Sequence, residues 1–170
     1  DGDTYYAVSN DAMTSDLSLS NQTSLGNTVR DFGFDASKNL YTLVSGPTIV
    51  LNYYTNRLNG FTSITSSANA SSTDISKIAI TSKKVYASGG SYLNEFDLPL
   101  VEGSTVATDV ISSWTTPSSE VGIETYALSS LAADDTYLYI GCKDSSFDQT
   151  PLYVVKYELT DLSTIAGIAK

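Results

Sequence analysis

The chain has 170 residues and a mass of 18.1 kDa, the size of one domain. Nine Lys and Arg against nineteen Asp and Glu give a formal charge of −10, and the chain has one Cys, one Trp and no His. Those counts exclude an imidazole triad, a His-ligated metal, an internal disulfide, a CxxC redox pair and a thiolate zinc cluster. They also argue against nucleic-acid binding, because phosphates need Lys and Arg to displace their counterions.

Ser and Thr together make up 46 of the 170 residues, and Tyr contributes 12. Thr and Tyr favour strands, Ser suits turns and solvated strand faces, and good helix formers are scarce. The composition therefore predicts an all-β protein. No apolar run approaches the roughly 18 residues that a membrane-spanning helix needs, so no membrane insertion is expected. A first residue of Asp1 is expected of a processed or trimmed chain. Abundant Ser, Thr and Tyr with few charges suggest an extracytoplasmic setting, whether periplasmic, cell-surface or secreted.

In chain order, residues 1–28 read as a partial unit. Tyr5-Tyr6-Ala7-Val8-Ser9 and the alternating Leu17-Ser18-Leu19-Ser20 are its candidate strands. Residues 29–67 read as a full unit. It opens on Phe32-Gly33-Phe34, a polar turn over Asp35–Asn39, and Leu40-Tyr41. Residues 68–111 repeat the pattern as Ile78-Ala79-Ile80, a turn over Thr81–Lys84, and Val85-Tyr86. Residues 112–170 repeat it again as Leu131-Ala132-Ala133, a turn over Asp134–Thr136, and Leu138-Tyr139. Two short apolar segments around a polar turn predict a β-hairpin. A Gly-containing turn and a strand with an aromatic near its end follow each hairpin, and Tyr53, Phe96 and Tyr157 align there. The segments 61–64, 104–107 and 163–166 are the expected fourth strands. Residues 112–125, with Trp114 and Pro117, show no period and read as an inserted loop.

Tyr41, Tyr86 and Tyr139 lie 45 and 53 residues apart. Four-stranded propeller blades repeat at roughly 40–50 residues. On the segments 32–41, 78–86 and 131–139 the chain resembles consecutive blades of a β-propeller. It lacks the Gly-His and Trp-Asp signatures of the tryptophan–aspartate repeats and a double Gly recurring as in kelch repeats. The resemblance implies an array of four-stranded antiparallel blades, about three full and one partial, in a single domain. A β-sandwich is the alternative, but it would not predict the recurring hairpin. Gly33, Ala79 and Ala132 would keep crowded inner strands narrow while their aromatic neighbours pack between blades. Leucine at Gly33 or Ala79 should then overpack the core.

Asp144 and Asp148 flank a short loop, and Asp134-Asp135 sits in a turn. Carboxylate pairs offer hard oxygens to Ca²⁺, so Asp144 and Asp148 are the candidate ligands. The competing reading is that Asp caps turns through neighbouring backbone N–H groups. Cys142 has no His to activate it and is expected as a buried free thiol. Trp114, Tyr126 and Phe147 are the candidate aromatic contacts for a ligand. The expected function is a non-enzymatic binding or scaffold module presenting loops to a protein or glycan. Alternatives are a propeller-type enzyme with an acidic, Ca²⁺-assisted site and a structural subunit of a surface assembly. Three units and a part fall short of most rings, so a homodimer or a larger parent chain is expected to close the ring.

Overall fold

Short apolar–polar alternations fold into strands throughout the computed structural model, and no helix occurs among the described residues. Those residues are 6–7, 23–24, 28–57, 60–61, 66–90, 92–100, 104–105, 126–144 and 153–169. β1 (Tyr6–Ala7) pairs with β2 (Thr23–Ser24), which is what is described of the expected partial unit before Thr28. The strands Leu17–Ser20 and the loop 112–125 lie outside the described residues.

A first sheet runs β3 (Val29–Phe34), β4 (Leu40–Val44), β5 (Val50–Tyr54) and β8 (Ser66–Asn69), each antiparallel to the next. A small hairpin of β6 (Asn56–Arg57) and β7 (Gly60–Phe61) interrupts it. A second sheet has β9 (Lys77–Ile80), β10 (Lys84–Gly89) and β11 (Tyr92–Asp97). β12 (Ser104–Thr105) then returns to pair in parallel with β8, on the outer edge of the first sheet. A third sheet holds β13 (Tyr126–Ala133), β14 (Tyr137–Asp144), β15 (Tyr153–Glu158) and β16 (Asp161–Ala169).

Successive side chains of a strand point to opposite faces, and the second sheet uses both faces. Ile78, Val85, Ala87 and Phe96 pack against Tyr41, Leu43 and Leu51 of the first sheet. Ala79, Tyr86 and Leu93 pack against Leu138, Ile140, Cys142, Val155 and Tyr157 of the third. The first strands lie side by side, with β9 against β3 and β13. Three strands with two apolar faces would not be stable alone, so the sheet depends on both neighbours.

Polar contacts fix the same order. The Asp31 carboxylate on β3 accepts from Ile78 N–H on β9 at 2.9 Å. Asp135, in the β13–β14 turn, accepts from Ser82 N–H at 2.7 Å. Arg30 donates to the carbonyls of Thr73 and Ile75 at 2.6 and 2.9 Å, pinning the connection between the first two sheets. Buried Asn94 exchanges two bonds with Ser71 on that same connection.

The repeat appears as register. The small residue faces the repeat tyrosine in all three hairpins: Gly33 with Tyr41, Ala79 with Tyr86 and Ala132 with Tyr139. The aromatic on the following strand is Tyr54 opposite Leu40, Phe96 opposite Val85 and Tyr157 opposite Leu138. Tyr54, and not Tyr53, is thus the equivalent residue. The fourth strands differ from expectation. The first sheet closes on Ser66–Asn69 instead of 61–64. Residues 104–105 join the first sheet and, among the described residues, leave the second with three strands, and 163–166 lies in β16 as expected. Those edges are short and polar, so no apolar alternation marked them.

Two glycines have different constraints. A Cβ at Gly89 would stand 2.1 Å from the Asp74 carbonyl oxygen and 2.6 Å from Ile75 Cα, both backbone atoms. Gly90, the next residue, turns the hairpin at φ +56°. A Cβ at Gly167 would meet nothing within 4 Å. Gly89→Ala should therefore cost about 3 kcal/mol or more. Gly167→Ala should be neutral or stabilise by about 0.5–1 kcal/mol. Equal urea midpoints for the two variants would contradict the packing of residues 74–75 onto β10.

The repeat position supplies a second comparison. Ala79 is buried between sheets, whereas Ala132 is exposed. Ala79→Leu should lose about 1–3 kcal/mol while Ala132→Leu leaves the urea midpoint within about 0.5 kcal/mol of wild type.

Candidate functional site

Of the residues expected to contact a ligand, Trp114 and Phe147 lie outside the described residues, as does Asp148 of the candidate Ca²⁺ pair. Tyr126 begins β13 and Asp144 ends β14, and the two are register partners at one end of that hairpin. One candidate ligand-contact residue and one candidate metal residue thereby share a backbone register position. Among the described residues no group of three or more Cys, Asp or Glu is placed to hold a metal ion.

Carboxylates in two of the repeat turns serve the backbone, while Glu95 and Asp97 pair with the Lys84 ammonium. Asp35 accepts from the N–H groups of Ser37 and Asn39, both at 2.9 Å. Asp134 accepts from those of Thr136 and Tyr137, both at 2.7 Å. In the second sheet Thr81 Oγ1 takes the same part for Lys83 and Lys84. Short polar side chains at this position hold the turn by satisfying N–H groups that the ladder leaves open. Asp35 and Asp134 also accept from the hydroxyls of the repeat tyrosines, Tyr41 at 3.3 Å and Tyr139 at 3.2 Å.

These contacts set the titration behaviour. Burial, then the Asp35 charge, pushes the Tyr41 phenol well above its ordinary range. Burial also raises the Tyr86 hydroxyl and the Cys142 thiol. Cys142 is a free, fully buried thiol in the core between the second and third sheets. A raised thiol in apolar surroundings is a poor nucleophile.

The tyrosines divide by position in the stack. Tyr41 and Tyr86 are core residues. Tyr139 is half-buried on the face of the third sheet turned away from the second. Beside it Tyr137 lies 6.2 Å away, centroid to centroid, with the Lys156 ammonium 3.4 Å over its ring. This is a cation–π contact, worth about 0.5–1 kcal/mol at an exposed site. Val154 on the same face is exposed. At the other end of the stack Phe32 and Phe34 form an edge-to-face pair at 6.2 Å and are 60 % and 50 % exposed. They were expected to pack between blades. They lie instead on the face of β3 that turns away from the second sheet, opposite Thr42 and Leu40.

The two end faces were missed from sequence. Their residues carry the same apolar signal as the core, and only the order of the sheets decides which of them are covered. None of the protein families, curated proteins or solved structures compared with the chain matches it.

Asp134 offers a pH test. Backbone N–H bonds from Thr136 and Tyr137 hold its carboxyl below the ordinary 3.8. A carboxyl lowered on folding stabilises above its unfolded value and loses that contribution as pH falls through its folded value. The thermal midpoint of Asp134→Ala should therefore lie below wild type near neutral pH and converge with it between about pH 4 and pH 2. A gap that stays constant across that range would show that the carboxylate charge is not what holds the turn.

Proposed function

We propose that the chain is an open array of propeller-type blades acting as a non-enzymatic binding or scaffold module in an extracytoplasmic setting. Its recognition element is the loop 112–125, presented to a protein or glycan ligand. The observation that carries the reading is the second sheet, packed on both faces between its neighbours with the first strands side by side. That is how blades support one another around an axis. The chain has no His to serve as an acid or base. Asp31, Asp35, Asp134 and Asp135 are engaged as acceptors for backbone amides. Both facts favour a framework over a catalyst.

Trp114 is the chain's one tryptophan, so its emission reports on the loop alone. The reading expects a solvent-exposed spectrum, free quenching by acrylamide, and a saturable change on titration with a glycan or protein ligand. Replacing 112–125 by a Gly/Ser linker of equal length should abolish that binding and shift the thermal midpoint by no more than about 2–4 °C. A shielded indole, with unfolding on loop replacement, would make the segment part of the core and end its role in recognition.

A further inference from the structure

The interface between neighbouring sheets is built twice, and one of its polar parts is present only once. At the first interface Asp31 stands opposite Leu43, two residues before Gly33 on β3. One oxygen of its carboxylate accepts from Phe32 N–H at 3.1 Å and the other from Ile78 N–H on β9 at 2.9 Å. Ile78 N–H is available because an antiparallel ladder alternates. The bond from Thr81 N–H to the Lys84 carbonyl makes Ala79–Tyr86 a bonded pair and turns Ile78 N–H away from β10.

The second interface repeats the donor without the acceptor. The bond from Asp134 N–H to the Tyr137 carbonyl makes Ala132–Tyr139 a bonded pair, so Leu131 N–H turns away from β14 as Ile78 N–H does from β10. β9 neighbours β13 as β3 neighbours β9. The residue of β9 that corresponds to Asp31 is Lys77, opposite Ser88 and two residues before Ala79. Where the first interface has a carboxylate, the second has an ammonium. Lys77 is half-buried and has no carboxylate within ion-pair distance among the described residues, in contrast to Lys84 with Glu95 and Asp97. Nor does Leu131 N–H have an acceptor among the described residues. A cation and an outward N–H are two donors that one carboxylate can take up, one on each oxygen.

We propose that this position between β9 and β13 binds a carboxylate supplied by a ligand. One oxygen accepts from Leu131 N–H, as Asp31 does from Ile78 N–H, and the other pairs with the Lys77 ammonium. In a chain of net charge −10, the local cation is what makes an anion acceptable there. The inference makes no use of the loop 112–125, so its failure leaves the tryptophan experiment unaffected.

The test is a backbone-amide NMR titration of the full chain with sodium acetate near neutral pH, against sodium chloride at equal ionic strength. The Leu131 amide should shift saturably in the millimolar range of acetate, and the Ile78 amide, already held by Asp31, should stay in place. Lys77→Gln should weaken acetate binding at least about tenfold. Lys77→Asp supplies the acceptor that the first interface has. In that variant the Leu131 amide should move without acetate, towards the position of a hydrogen-bonded amide, and cease to respond to it, with a thermal midpoint no lower than wild type. Lys77→Gln carries the test if Lys77→Asp fails to fold. Glucuronate and acetylglycine then separate an acidic sugar from a peptide terminus as the source of the carboxylate, by which of them binds more tightly than acetate. A Leu131 amide that ignores acetate, a shift equal to that in chloride, or a response unchanged in the Lys77 variants overturns the proposal.

Discussion

Everything else in the molecule depends on the burial of both faces of the β9–β10–β11 sheet. Strand side chains alternate, so a sheet covered on both sides needs apolar or small residues at consecutive positions. β10 supplies them as Val85, Tyr86 and Ala87, all buried. Val85 and Ala87 belong to the core shared with the first sheet, and Tyr86 to the core shared with the third. Removing either neighbour would expose one full apolar face of a three-stranded sheet. The connection over residues 71–76 is tied to this sheet as well, through Asn94, the close approach at Gly89 and the Ser76–Ser88 backbone bond.

Carboxylates complete what packing begins. Asp31 and Asp135 each reach from one sheet to a backbone N–H at the first strand or turn of another. An edge strand leaves such groups unpaired, and an acceptor from the neighbouring sheet satisfies them while blunting the edge. Bonds of this kind contribute about 0.5–3 kcal/mol each. A chain with an excess of acidic residues and a core of modest strands thus uses part of its charge as internal acceptors.

The hairpin repeat was legible because it is local. A small residue opposite a tyrosine, with a polar turn between, is written within about ten residues at Gly33–Tyr41, Ala79–Tyr86 and Ala132–Tyr139. The buried thiol of Cys142 and the turn carboxylates followed from the same short-range logic. What failed was non-local. Ser66–Asn69 replaced 61–64 as an outer strand because short polar edges give no periodic signal. Tyr53 and Tyr54 are adjacent aromatics, and only pairing with β4 distinguishes them. Phe32 and Phe34 have the pattern of core residues, yet they lie exposed on the face of β3 turned away from the second sheet. The candidate site was legible as a list of residue types, of which Tyr126 and Asp144 share a backbone register position.

Native-state hydrogen exchange tests the central role of the second sheet most directly. If that sheet is held from both sides, the amides of Val85, Tyr86 and Ala87 open only when the whole chain unfolds. Their exchange free energy should then equal the unfolding free energy extrapolated from urea, while amides of the edge strand β16 exchange through smaller openings. Exchange at Val85–Ala87 as fast as in β16, or well below the global free energy, would contradict the account.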